Sequence, residues 1–488
     1  MKKFLGILFA LFLLFWRTPA HAQPSLSQSW LSGVSTFIPP DAGGSVISVD
    51  GEIFVDNNNW LQETNGTSWI TSSNFWEALN ASCNDPSGAT TPCNNDPPMF
   101  WDSPEGEGVA IAEPVANNEV PLTNTTIYLY AAGYEYSINN ACSLISGYPY
   151  TDLPILSVDS NWIVIETRCF TSSDQFGGQE IHAIEKAAAY SGSYTSSNDH
   201  PFVSTGGPGK GMDAVLADVA DNDAAAYFAR ILPGTGTTTV YFSKITGPVT
   251  APTYTPNFAS STVEVEASGG KGQNCMSAPN GPQAGGTYEL GGLGYNAVQA
   301  SGDEDVWGAY CTKPAGDHVL ELIWNQQVGG VANGKTGHCS GYNGGIWTQY
   351  WTYDLTLANT ATAMALSGDV AGKCEWLYPS AAHGMFGGYD YFVWNLTYAA
   401  TTGSGCGGSA YSPTAEVLWY GPVTQASSCA PANPVDGTYR VSASDVPGPY
   451  PARWGDFSTI SEDPNTGYLW FWSDLYNTGY TNWLGVLK

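Results

Sequence analysis

Along most of the chain, apolar residues alternate with small or polar ones for five to nine positions and then stop at Asp, Asn or Gly. The stretches "ILSVDSNWIVIETRCF" (155–170) and "STISEDPNTGYLWFWSD" (458–474) show the rule: a small-residue strand, a tight turn, then a β-branched or aromatic strand. Period-two alternation bounded by turn formers predicts strands joined as hairpins. The same unit recurs in "SVISVDGEIFVDNNNW", "VAIAEPVANNEVPLTNTTIYLYAAG", "AVLADVADNDAAAYFARI", "NAVQASGDEDVWGAYCT" and "SAAHGMFGGYDYFVWNL". The clearest helical pattern, "GQEIHAIEKAAAYSG", itself begins with strand-like alternation.

The units start near residues 46, 108, 155, 214, 296, 380 and 458, spacings that suit four-stranded propeller blades with insertions. The predicted fold is all-β, a seven-bladed β-propeller, with six blades or a β-sandwich array as the alternatives. Segments rich in Pro and Gly, such as "TGPVTAPTYTPNF", have repeats on both sides and read as connections within a single domain, 23–488. Residues 1–22, "MKKFLGILFALFLLFWRTPAHA", carry the basic, apolar and Ala-x-Ala order of a signal peptide. The expected location is therefore secreted, periplasmic or outside the cell, with no integral membrane association.

Composition narrows the partners. The net charge is −29, and loss of Lys2, Lys3 and Arg17 with the signal leaves 12 basic against 44 acidic residues, or −32. Such a field repels nucleic acid and anionic membranes. Neutral glycans, cations, or acidic ligands bridged by calcium are favoured, and the protein is expected to be monomeric. Ten cysteines in an exported chain predict up to five disulfides, paired in sequence order as 83–93, 142–169, 275–311, 339–374 and 406–429. Asn-x-Ser/Thr sequons start at Asn65, Asn80, Asn124 and Asn395.

The segment "ARWGDFS" (452–458) and the block "DLPILSVDSNWIVIETRCF" (152–170) resemble a family of secreted bacterial β-propellers related at fold level to sialidase-like propellers. Arg453, Trp454, Gly455, Asp456 and Ser458 match its C-terminal Arg-Trp-Gly-Asp-Tyr-Ser signature, with Phe457 replacing the tyrosine. The block "DLPILSVDSNWIVIETRCF", continuing into "FGGQEIHAIEKAAAYSG", is similar to its Pro-Ser strand, tryptophan hairpin and Lys-Ala strand. The resemblance implies the fold and no particular reaction. A Ser-x-Asp-x-Gly-x-Thr-Trp box is missing, and the mature chain holds only Arg168, Arg230, Arg440 and Arg453, so sialidase activity is not implied.

Candidate chemistry follows from the repeat. Aligning Ser461 with Ser157 puts Asp456 opposite Asp152, and Asp213 falls within a residue of the same position. Carboxylates from separate blades, converging at one mouth of the channel, are what glycosidic cleavage requires. Arg453 is a candidate to orient Asp456, and His383 a candidate general base; His182 reads as structural. Trp454, Trp347, Tyr350 and Trp351 are candidate sugar-stacking residues. Asp463 and Asn465, and Asp221 and Asp223, are candidate calcium ligands in short acidic turns. The expected function is hydrolysis of a neutral extracellular glycan; the alternatives are a non-catalytic glycan-binding, adhesion or matrix protein and a calcium-assisted polysaccharide lyase.

Overall fold

The computed structural model describes residues 24–31, 43–46, 53–57, 60–64, 69–70, 99–102, 105–113, 124–173, 175–205, 213–215, 225–233 and 237–264. It continues with 274–275, 281–283, 286–288, 319–328, 331–332, 339–340, 346–354, 359–365, 374–386, 389–400, 411–420, 437–440, 459–462, 466–476 and 480–488. Apart from a five-residue α-helix (Lys186–Tyr190) and one 3-10 turn, the regular elements described are strands.

Among the described residues, seven sheets have four antiparallel strands each. Six are meanders taken in chain order, the first starting at Gly43–Val46, the second at Met99–Asp102, the third at Tyr150–Val158 and the fourth at Asp213–Val215. The fifth starts at Asn274–Cys275 and the sixth at Cys374–Phe386. The closing sheet joins Leu26–Leu31 to Thr459–Glu462, Leu469–Tyr476 and Tyr480–Leu487. First strands of neighbouring sheets touch from Gly43–Val46 through Met99–Asp102 and Tyr150–Val158 to Asp213–Val215. Thr459–Glu462 touches both Cys374–Phe386 and Gly43–Val46, which brings the succession round. The chain is a β-propeller.

Most predicted units are the first hairpin of a sheet. "VAIAEPVANNEVPLTNTTIYLYAAG" is instead the second and third strands of its sheet, Glu107–Ala112 and Thr126–Ala131. The first hairpin there pairs Met99–Asp102 with Glu107–Ala112. The unit beginning near 296 lies outside the described residues. The helix-like segment divides: Phe176–Glu185, where the alternation lies, is a strand, and the alanine run forms the short helix.

The blades pack through their flat faces. Between the second and third sheets lie Val109, Ile111, Ile127, Leu129, Ile163, Ile165 and Ile184, all fully buried. The opposite face of the third sheet sets Trp162, Val164 and Ile181 against Phe228 and Ile245 of the fourth. Each such side chain contributes about 1.5–3 kcal/mol on burial, enough together to offset the ionisable groups described below. In the closing sheet, any Cβ on Gly485 would sit 2.1 Å from the Phe471 ring, so glycine is what lets that ring lie flat on the strand. The sequon residue Asn395 is fully buried, bonding the Trp472 carbonyl and the Ser473 hydroxyl, so the folded chain leaves no room for a glycan there.

Of the predicted disulfides, Cys142–Cys169 is formed, with its Sγ atoms 2.05 Å apart. Among the described residues no cysteine is free.

Candidate active site

The third sheet builds the site. Its first strand is an edge strand, so Pro154 costs no ladder bond, and the strand carries a bulge between Asp152 and Ile155. Bulges re-aim side chains where they interrupt a ladder. Here the bulge follows Asp152, which is half-buried and stands in register with Arg168 on the second strand. The fourth sheet repeats the pairing, with Asp213 in register with Arg230. An aspartate in register with an arginine at this end of the first two strands is thus common to both blades.

A second carboxyl reaches the same end from the neighbouring blade. Glu113 follows directly on Glu107–Ala112 and is 2% exposed. Among the described residues its Oε1 has no hydrogen-bond partner and no lysine or arginine pairs with it. Burial pushes its carboxyl well above the usual range, and the negative charge of Asp152 pushes it further. A hydrogen bond from Thr151 partly offsets this. The Thr151 hydroxyl itself accepts from Asn124 Nδ2 at 2.9 Å, which leaves its own hydrogen for Glu113. The result is a buried carboxyl that burial and the neighbouring negative charge of Asp152 both incline to keep its proton, a feature of acid–base pairs in general.

Other polar residues of the third and fourth sheets hydrogen-bond to one another. Gln179 Nε2 donates to Glu166 Oε1. Arg230 donates to Asn257 Oδ1 at 2.6 Å and lies 4.8 Å from the centroid of the Tyr241 ring. Asn257 occupies the left-handed region (φ 49°) at a bulge of the fourth sheet, and its backbone N–H donates to Ser243 Oγ at 3.1 Å. Asparagine tolerates that conformation better than most residues.

The far end of the same two blades buries ions differently. Asp102 is fully buried, but its Oδ2 accepts from Lys186 Nζ at 3.0 Å and from the Tyr190 hydroxyl at 2.8 Å. Nearby, Asp159 closes the first hairpin, its Oδ1 accepting from the backbone N–H of Asn161 (2.6 Å) and Trp162 (2.7 Å). Burial raises the Asp159 carboxyl to about 6 against those hydrogen bonds and the charge of Lys186.

Of the residues predicted from sequence, Asp152 is at the carboxyl pair and Asp213 holds the matching register one blade on. His383 is in register with Phe392, three residues before its strand ends at the hairpin, and so nearer the Asp159-type end of its sheet. Trp347, Tyr350 and Trp351 lie on strand Ile346–Asp354, opposite Gln326, Ile323 and Leu322. Asp456, Arg453, Trp454, Asp463, Asn465, Asp221 and Asp223 lie outside the described residues. Among the described residues, no group of three or more His, Cys, Asp or Glu side chains is arranged to hold a metal. Sequence reasoning missed Glu113, whose one signal is a lone glutamate and a proline directly after the apolar run "VAIA".

No family model and no curated protein match the chain in sequence. Among solved structures it is similar to the hemagglutinin-neuraminidase of parainfluenza virus 5, at 9% identity over 80% of this chain and 94% of that one, with a TM-score of 0.36. It is also similar to the WD40 domain of SCAP from fission yeast (9% identity, 96% of each chain, TM-score 0.27). A third is a mutant of the GH43 protein BlXynB from Bacillus licheniformis (9% identity, 94% of this chain and 91% of that one, TM-score 0.26). Among the described residues, no helix is long and apolar enough to cross a membrane.

Proposed function

We propose that this chain is a secreted, seven-bladed propeller that hydrolyses a neutral extracellular glycan, with Glu113 as general acid and Asp152 as its ionised partner. One observation carries the reading: a buried carboxyl with, among the described residues, an unpartnered oxygen and no ion-pair cation, set against a half-exposed aspartate. Glu113 would protonate the departing glycosidic oxygen, while Asp152 activates water or attacks the sugar from the other side. Asp213, in register with Arg230, and Asp456, opposite Asp152 in the repeat alignment, are the further candidate carboxylates. Arg453 and Trp454 would hold Asp456, and the net charge of −29 favours an uncharged sugar.

The test is a panel of neutral and acidic polysaccharides incubated with wild type, Glu113→Gln and Asp152→Asn, reading new reducing ends. Each substitution should lower turnover about 10²–10⁴-fold with an unchanged circular dichroism spectrum. Activity should fall as pH rises through the titration of Glu113. Asp152→Asn removes part of the push on that group, so any residual activity should lose its alkaline limb at lower pH. Undiminished turnover in Glu113→Gln would overturn the assignment. Wild type that binds a glycan and generates no ends would make this a binding propeller, and unsaturated ends would make it a lyase.

A further inference from the structure

The connection 140–149 runs from the last strand of the second sheet straight into Thr151 and Asp152, and it is fastened to the third sheet from below. His182, 3% exposed, sits on the third strand with both ring nitrogens engaged. Nδ1 is 2.9 Å from Asp199 Oδ2, and Nε2 is 2.8 Å from the Ala141 carbonyl oxygen. Both partners are acceptors. A neutral imidazole has one N–H, so only the imidazolium satisfies both contacts.

The same cation governs the next anchor. Glu180, fully buried, accepts from the Leu144 N–H at 2.8 Å and from the Ser143 hydroxyl at 3.4 Å. Its Oε1 lies 3.8 Å from His182 Nε2. The groups facing His182 are therefore Glu180 from its own strand, Asp199 from the outer strand, and the carbonyl of Ala141 from the connection. Tyr194, from the segment before the outer strand, lies close enough to feel the charge of Asp199, and Cys142 beside Ala141 is held in the disulfide to Cys169. The order is carboxylate, imidazolium, carboxylate, and the connection hangs on the central ion.

We propose that His182 is a proton-operated clasp that fixes segment 141–145 at the mouth while it is charged and loosens it when it becomes neutral. On losing its proton the ring keeps the N–H that serves Asp199, and Nε2 turns a lone pair toward the lone pairs of the Ala141 oxygen. That contact becomes repulsive, and Glu180 is left buried without its cation. The disulfide keeps Cys142 in place, so the segment loosens about a tether. Burial alone would lower the histidine, but Asp199, the Ala141 carbonyl and Glu180 outweigh it and carry it above 6.5. Release is expected on the alkaline side of that value.

Amide hydrogen exchange on the intact, oxidised protein between pH 5.5 and 9, normalised to intrinsic rates, tests this without any substrate. Protection at Ser143 and Leu144 should fall about tenfold or more, one unit of coupling being tenfold, through a midpoint above 6.5. Strand Thr126–Ala131 should stay constant. Asp199→Asn, which removes one of the two charges holding the proton, should lower the midpoint. Nitrogen-15 spectra of wild type near pH 6 should show two N–H protons on His182, a readout independent of any variant's folding. Flat protection across the range, an unmoved midpoint in Asp199→Asn, or a single N–H proton on His182 would each overturn the clasp.

Discussion

The two ends of the interface between the second and third blades bury carboxyl groups in opposite ways. At one end Asp102 is given a lysine and a tyrosine hydroxyl. At the other Glu113 is given a threonine hydroxyl and a neighbouring aspartate. The strands are the same, Glu107–Ala112 and Tyr150–Val158, so the apolar packing between the ends is shared. What differs is the cation. A buried carboxylate with its lysine is a structural ion pair, whereas a buried carboxyl without one keeps its proton and has it available to give.

That contrast can be broken from either side. The largest expected effect is at Lys186→Met, which leaves Asp102 as an uncompensated buried charge and should cost about 3–5 kcal/mol in urea unfolding. Next is Asp159, whose carboxyl is raised from 3.8 to about 6 in the folded state. A raised group stabilises below its unfolded value and loses that contribution as pH rises through the folded one. Wild-type stability should therefore drop on the order of 3 kcal/mol between pH 4 and pH 7 from this group alone. Asp159→Asn keeps the Oδ1 acceptor for Asn161 and Trp162, and should flatten that profile and be the more stable protein at pH 7. Tyr190→Phe removes one hydrogen bond to a charged group and should cost about 1.5–3 kcal/mol. The smallest effect should be at Glu113→Gln, within about 1 kcal/mol of wild type at pH 7, since the folded state already favours the neutral form. A loss there as large as at Lys186 would show a hidden cation and erase the distinction between the two ends.

Much of this architecture was legible in the chain. Period-two alternation around "SVDSNW" marks a hairpin because Asp159 can close the turn with its own side chain, and the bond to the Asn161 and Trp162 amides is local. The place of Asp152 on a first strand, in register with Arg168, was legible because a repeat carries it. The phase of the second blade was not: its first strand has four residues and its turn begins "DSPEG", while the longer connection between its next strands mimics the repeated unit. Glu113 was hidden for a related reason. Its environment comes from Thr151 and Asp152, roughly forty positions on in the sequence, and no alternation within its own blade records a group that arrives from the next. Lys186 escaped likewise, since "EKAAAY" reads as a helix start and its partner Asp102 is 84 residues earlier.

The strand Leu26–Leu31 carries a consequence for how the molecule is made. It pairs with Tyr480–Leu487, and Ser25 and Lys488 exchange backbone hydrogen bonds at 3.0 Å each way. The earliest strand described here therefore waits, through synthesis, for the latest. Until then the edge of the closing sheet is open, and the same strand of a second copy can fill it as well as the chain's own. Dilution favours self-closure, because the tethered strand then far exceeds its competitors in local concentration. Crowded refolding favours head-to-tail chains of molecules, each finished by the start of the next.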